Sequence, residues 1–560
     1  MQRSRFTGIW LAIFLWRAVS PAVADPPSIL HLFPAGGQRG STSVVTMHGD
    51  FSWPVKFWAP GIDISCMKEE GKFKIKLPHD LDSDQIWFRI YNEDGVSTMQ
   101  SFLVGSLPET IEAEPNETPD SPQDLTKSHP RPNDANLTIN GTLQKDHDVD
   151  CFGFELVKGQ TIVAAVAANS AFGSPMDAII QIVDRQGIVH AENHDDVGLD
   201  PRLAFTAPKS GQYIARLFAF PAKPDSTIRF RGGKSYVYRL TLTTKPFITH
   251  AVPLSATLGT SSSHDVRGWN IPANTQLPLR SWDDRILRSS LRSNTSLLRA
   301  AGWSGNAIVE IFDFETLPYE SVTTKTNPLP ITPPVSITGC INEPKQTDYF
   351  TVALQKNRPY TFRIESVSLH SHLVPHVRLT DVQGKLMTQS PVSANATDVV
   401  IHHAAKADGQ YHLTVTDRYS HGGPRYYYRL TAEPTRSDFS LSVEADQFTA
   451  NLGEALEIPV AIARVSGEPK KIETIEIEAI DLPDGVTCEP VSSEPSGDTS
   501  EKVTLKLNCN SEYSGPIRIR GTSSGEQVRH ALSPLVHHHR FEQIWLIAKK
   551  APPEKTEDDK

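Results

Sequence analysis

The chain has 560 residues, with 55 Lys and Arg against 65 Asp and Glu and a formal net charge of −10. At roughly 100 to 200 residues per domain, that length makes several domains, each able to bury its own core. The acidic balance and scattered basic residues argue against a nucleic-acid-binding surface, and five Cys in so long a chain exclude a disulfide-dense scaffold.

At the N-terminus, Arg3 and Arg5 precede an apolar run from Ile9 to Trp16, and Ala22, Val23 and Ala24 lead into Asp25, Pro26 and Pro27. This pattern predicts a secretory signal peptide over residues 1–24, and so an exported protein: periplasmic, cell-surface or extracellular. No later window approaches the roughly 20 apolar residues of a membrane-spanning helix. The 42 Pro and 34 Gly punctuate short runs rich in Val, Ile, Thr, Phe and Tyr, which predicts an all-β fold of tandem β-sandwich domains.

Self-similarity sets the organisation. Pro27, Ile29, His31, Pro34, Gly40 and Gly49 match Pro246, Ile248, His250, Pro253, Gly259 and Gly268 at a constant offset of 219. Further along, Gly141, Asp150 and Phe152 match Gly339, Asp348 and Phe350 at an offset of 198, which also carries SGQY around Tyr213 onto DGQY around Tyr411. GGKSYVYRLTL (232–242) then aligns with GGPRYYYRLTA (422–432) at an offset of 190, the first copy having a longer loop around Pro221 to Phe230. Loops absorb length changes, so two copies of one fold fit this pattern.

Within the first copy, Phe152, Phe154 and Leu156, then Ile162, Ala164 and Val166, alternate with other residues as half-buried strands do. Turns at RQG and KSG separate later strands, giving an antiparallel sandwich or jelly roll. Residues 437–548 alternate through Phe439, Leu441 and Val443, Leu456, Ile458 and Val460, and Val503, Leu505 and Leu507, a further sandwich. Residues 551–560 form a charged tail.

The run EAEPNET (112–118), followed by GTLQKDHDVDCFGFEL, MDAIIQIVDRQG and YRLTL, resembles the bacterial pre-peptidase C-terminal domain, a β-sandwich appended to secreted proteases and collagenases. The segments opening at Pro27 and Pro246 resemble IPT/TIG immunoglobulin-like domains. The resulting partition is an immunoglobulin-like domain at 25–108, a pre-peptidase-like sandwich at 109–245, a second immunoglobulin-like domain at 246–333, a degenerate second pre-peptidase-like sandwich at 334–434 and a C-terminal immunoglobulin-like domain at 435–550.

The site candidate is an acidic strip. Pro115 biases Glu114 toward extended backbone, and alternate side chains of a strand share a face, so Glu112, Glu114 and Asn116 present oxygens together. Asp146, Asp148 and Asp150 repeat the spacing on a second segment. Calcium takes six to eight oxygen ligands, and the resemblance implies calcium held by Glu112, Glu114, Asn116, Glu117, Asp146 and Asp148, with Asp150 a further candidate. The alternative is a solvated acidic linker. In the second copy the loop is NEPKQTD, which keeps Asp348 but places Pro344 and Gln346 where the first has Asp146 and Asp148, so that copy is expected to hold no metal. Asp195 and Asp196 read as hairpin turn residues rather than ligands. The run His537 to His539 is a strand-edge polar stretch in preference to a transition-metal site.

Cys488 and Cys509, in two strands of one domain, are expected to pair, with two buried thiols as the alternative; Cys66, Cys151 and Cys340 read as lone core thiols. H-E-x-x-H does not occur, and no phosphate-binding Gly pattern follows a strand. Trp53, Trp58 and Trp87, and the run Tyr426 to Tyr428, serve either as core or as a stacking surface. These observations predict a non-catalytic, exported binding and scaffolding protein, a rod of five sandwiches that takes an extracellular or cell-envelope protein or polysaccharide as partner. The second reading is an accessory subunit of a secreted protease or other hydrolase, or a hydrolase itself.

Overall fold

The computed structural model describes residues 26–93, 95–126, 135–223, 229–279, 294–318, 323–391, 397–467, 474–523, 527–537 and 539–551. Residues 1–24 and nearly all of the charged tail lie outside them. The chain is a tandem array of β-sandwiches. Among the described residues, no helix is long and apolar enough to cross a membrane.

Alternation in the sequence becomes alternation in burial. In Lys72–Lys76 the pattern KFKIK buries Phe73 and Ile75, and in Lys502–Cys509 it buries Val503, Leu505, Leu507 and Cys509. The first unit is two four-stranded sheets enclosing Val45, Phe73, Ile75, Phe88 and Phe102. The third pairs a four-stranded sheet with a three-stranded one. The second unit faces one five-stranded sheet, centred on Gly211–Pro221, against another centred on Val237–Thr243.

The fourth unit has the strand order of the second, position for position, in both of its sheets. This moves a boundary. Glu315–Pro318 and Leu329–Ile331 fall within residues 246–333, assigned above to the second immunoglobulin-like domain, yet they pair in parallel with Val335–Cys340 and Thr347–Leu354 of the next sandwich. These edge strands are short and carry three Pro, Pro318, Pro328 and Pro330, in or directly beside them, so their periodicity is too weak to show in the sequence.

The modules do not form the expected rod. The C-terminal unit returns to the first, where Trp545, 1% exposed, packs edge-on against Trp58 at 6.1 Å and tilted against Tyr91 at 5.0 Å. Arg89, itself buried, forms an ion pair with Asp446, while Trp87 packs on His537, His539 and Phe541. The Trp cluster is therefore packing: Trp53 lies against the core of its own unit, and Trp58 and Trp87 are covered by the C-terminal unit. Tyr427 and Tyr428 are buried as well.

The expected Cys488–Cys509 disulfide is absent, and all five cysteines are free thiols. The register explains this, because Cys509 lies opposite Val486 and Cys488 opposite Leu507, two positions apart along the ladder. Thiol titration of the unfolded chain is therefore expected to count five thiols, and a count of three would establish a disulfide instead.

Asp196, read above as a turn residue, is a buried ion-pair hub between the second and fourth units. Its side chain is 2% exposed, and it meets Arg202 of its own unit and, at 3.0 and 2.9 Å, Arg425 and His372 of the other. The His372 hydrogen bond and the charges of Arg202 and Arg425 hold its carboxyl well below the usual range despite burial. Nearby, His250 stacks on Tyr427 with ring centroids 3.8 Å apart, and burial, with Arg425 and Arg267 adding to it, pushes its pKa down to about 3. The folded state thus keeps His250 neutral where the unfolded chain takes up a proton. Its stabilising contribution is complete above about pH 6.5 and falls by about 1.4 kcal/mol per pH unit below that. The urea midpoint is expected to drop from pH 7 to pH 5, and to drop less in His250→Phe, which keeps a ring against Tyr427; equal drops would refute the assignment.

Candidate metal centre

The acidic strip is laid against the second sandwich by the short strand Glu109–Ile111, which runs parallel to Leu137–Thr142. Beyond it, the Glu112 amide donates to the Asn140 carbonyl at 3.0 Å. The Glu112 carboxylate accepts from the Thr142 amide at 2.7 Å and from the Tyr238 hydroxyl at 2.9 Å. The second segment enters from Asp150–Leu156, whose first residue is fully buried.

The structure brings together Glu112, Glu114, Asn116, Asp148 and Asp150. One oxygen each from Glu114, Asp148 and Asp150 lies within 4.8 Å of the others. Asn116 is fully buried beneath them, its carbonyl accepting from the Cys151 amide at 2.9 Å. As oriented, its side-chain oxygen faces the carboxylates of Glu114 and Asp150; rotated by 180°, its amide nitrogen would donate to them at 3.1 and 3.3 Å. An amide oxygen among carboxylate oxygens needs either that rotation or a cation between them. Asp148 is 1% exposed; one oxygen accepts from the Gln144 amide and the other is buried with no hydrogen-bond partner.

Two predicted ligands stand elsewhere. Asp146 turns away to Arg231 at 3.1 Å and Arg229 at 3.3 Å, and the Gly232 amide together with these two charges holds its pKa low. Glu117 is solvent-facing and pairs with Lys145 at 3.4 Å. Across the chain, His537 and His539 face Trp87, and His538 lies outside the described residues.

Electrostatics within the cluster are unfavourable without a cation. Burial, reinforced by Asp148, raises Glu114. Burial raises Glu112 to about 7 and, with Glu112 beside it, pushes Asp150 well above its ordinary value. The Tyr238 hydroxyl lies within 2.9 Å of Glu112 and 2.5 Å of Asp150. It has one proton to give, so one of these carboxyls must carry a proton of its own. Oxygen donors alone, with one buried oxygen unpartnered, make a donor set for a hard divalent cation such as calcium. Glu114, Asn116, Asp148 and Asp150 would hold it, and its charge would take the place of the retained proton.

Sequence reasoning did not single out Tyr238, although its signal was present. Gly141 lies opposite Tyr238 in register, and Gly339 opposite Tyr428. A Cβ at Gly141 would sit 2.2 Å from the Tyr238 hydroxyl, and one at Gly339 2.4 Å from Tyr428 Cζ. The matched glycines and the matched YRL sequences therefore describe one arrangement, a ring lying flat over a glycine to reach an aspartate. In the fourth unit, Tyr428 donates to Asp348 at 2.6 Å, and Gln346, at the position of Asp148, donates to Asp348 at 2.7 Å. The carboxylate there is satisfied by an amide.

No family model matches the chain, and no curated protein matches it. Among solved structures, the pre-peptidase C-terminal domain of a collagenase from Bacillus anthracis is similar to 20% of this chain over its whole length, at 15% identity and a TM-score of 0.16. The four N-terminal Ig domains of Dscam1 isoform 1.9 are similar over 94% of this chain and 100% of theirs, at 7% identity and a TM-score of 0.19. The glucan utilization protein SGBP-B of Bacteroides ovatus, solved with a mixed-linkage heptasaccharide, is similar over 55% of this chain and 67% of its own, at 12% identity and a TM-score of 0.16.

Proposed function

We propose that this chain is an exported, non-catalytic binding and scaffolding protein, and that its second unit is a pre-peptidase C-terminal-like sandwich that binds calcium. The observation that carries the calcium reading is the convergence of Glu114, Asp148 and Asp150 around a buried, unpartnered oxygen of Asp148. Support for a scaffolding role comes from architecture. Its sandwiches meet at junctions that carry buried ion pairs, at Asp196, Arg89 and Arg429, which orient their outer faces relative to one another. An extracellular or cell-envelope protein or polysaccharide is the partner proposed for those faces.

Calcium is expected to raise the melting temperature of the transition that unfolds the second unit in the full chain, by mass action on the folded state. Glu114→Gln combined with Asp148→Asn should abolish that rise, while Asp146→Asn, outside the cluster, should retain it; no rise in the unaltered protein would overturn the reading.

Asp148→Gln reproduces the residue of the fourth unit. It should remove the calcium response and stabilise the calcium-free protein by about 1 kcal/mol, because a repelling carboxylate gives way to a hydrogen-bond donor for Asp150. Loss of stability together with a retained calcium response would show that the two units are not built alike.

A further inference from the structure

We infer that the two immunoglobulin–sandwich joints, alike in layout, differ in control: calcium sets the first, whereas the second is permanently locked. The inference rests on the calcium reading above and adds what the ion does.

Each joint includes the arginine that follows the site tyrosine. Arg239 and Arg429 occupy matching positions on the central strands Val237–Thr243 and Tyr427–Pro434, opposite Asn140 and Thr338. Both side chains are nearly buried, at 7% and 4% exposure. Each reaches the preceding immunoglobulin-like unit. Arg239 lies so close over Gly36 that a Cβ there would be 2.5 Å from its guanidinium carbon, and Arg429 donates to the Leu254 carbonyl at 3.2 Å.

Their carboxylate partners come from different places. Arg429 is paired with Glu365, at 3.0 Å on a neighbouring strand of its own sandwich, and with Glu310, on a strand inside the third unit. Both acids belong to sheet interiors. In the first joint the residue registered opposite Arg239, where Glu365 stands opposite Arg429, is Ala167. Arg239 pairs instead with Glu109. The position matching Glu109 in the fourth unit is Thr316, which carries no charge.

Glu109 sits on a three-residue edge strand that leads directly into Glu112, Glu114 and Asn116. That strand is anchored at one end by the Arg239 pair and at the other by the acidic cluster, whose like charges oppose its seating until a cation arrives. So short an edge strand contributes little by itself. Ion binding that seats residues 112–116 therefore seats Glu109 on Arg239, and through Arg239 the first unit. No acidic strip enters the Arg429 pairs of the second joint.

The test uses the full chain, calcium alone as the probe, calorimetry to record binding and backbone hydrogen exchange to record each joint. Calcium is expected to slow exchange over residues 103–111 roughly tenfold and to leave residues 310–318 unchanged. Glu109→Gln should bind calcium but lose the response at 103–111. Ala167→Glu, which gives the first joint the carboxylate of the second, should keep 103–111 slow with or without the ion. Calcium bound with both segments unaffected would overturn this inference and leave the calcium reading standing. Absence of binding in the calorimeter would overturn that reading first and the inference with it.

Discussion

A strand turns successive side chains to opposite faces, and on the central strand of the second and fourth units this places a tyrosine inward and an arginine outward. Much of the molecule follows from satisfying those two neighbours. The inward hydroxyl needs an acceptor in the core, which Asp150 and Asp348 supply, and each ring needs a glycine beneath it. The outward guanidinium, nearly buried against another unit, must find a carboxylate, since an unpaired charge in such a place costs several kcal/mol. Sandwich, acidic cluster and joint are thus three consequences of one dipeptide.

The second and fourth units solve the same electrostatic problem with different chemistry. Around Asp150 the second unit gathers Glu112, Glu114 and Asp148, an excess of negative charge that only a proton or a cation can relieve. Around Asp348 the fourth has a phenol and an amide, Tyr428 and Gln346, and burial raises its pKa only to about 6. With an amide at the position of Asp148, the fourth unit closes into a hydrogen-bond network around its aspartate.

What the sequence disclosed was whatever repeats or alternates. Strand faces such as Phe73 and Ile75 followed from period two, and Gly141 with Gly339 marked a shared constraint before its cause was visible. The acidic strip was found because its residues share local spacing. Spacing could not show that Asp146 would be captured by Arg229 and Arg231, residues some 85 positions away in sequence. Nor could it show that Asp196 would be enclosed between units, because such partners are set by how domains meet. The cysteines show the limit most plainly. Cys488 and Cys509 lie on paired strands, but a two-residue difference in register, invisible locally, keeps them apart.

The return of the C-terminal unit onto the first has a consequence for biogenesis. Trp545 lies on Gln543–Lys549, the last strand of the described chain, so its partners Trp58 and Tyr91, and Trp87 beside Phe541, are synthesised hundreds of residues before anything can cover them. The nascent polypeptide leaves the ribosome with a bare aromatic flank, the kind of surface on which incomplete chains stick to one another. A product ending before Gln543 would keep that flank bare for its whole lifetime, however well its earlier sandwiches had folded.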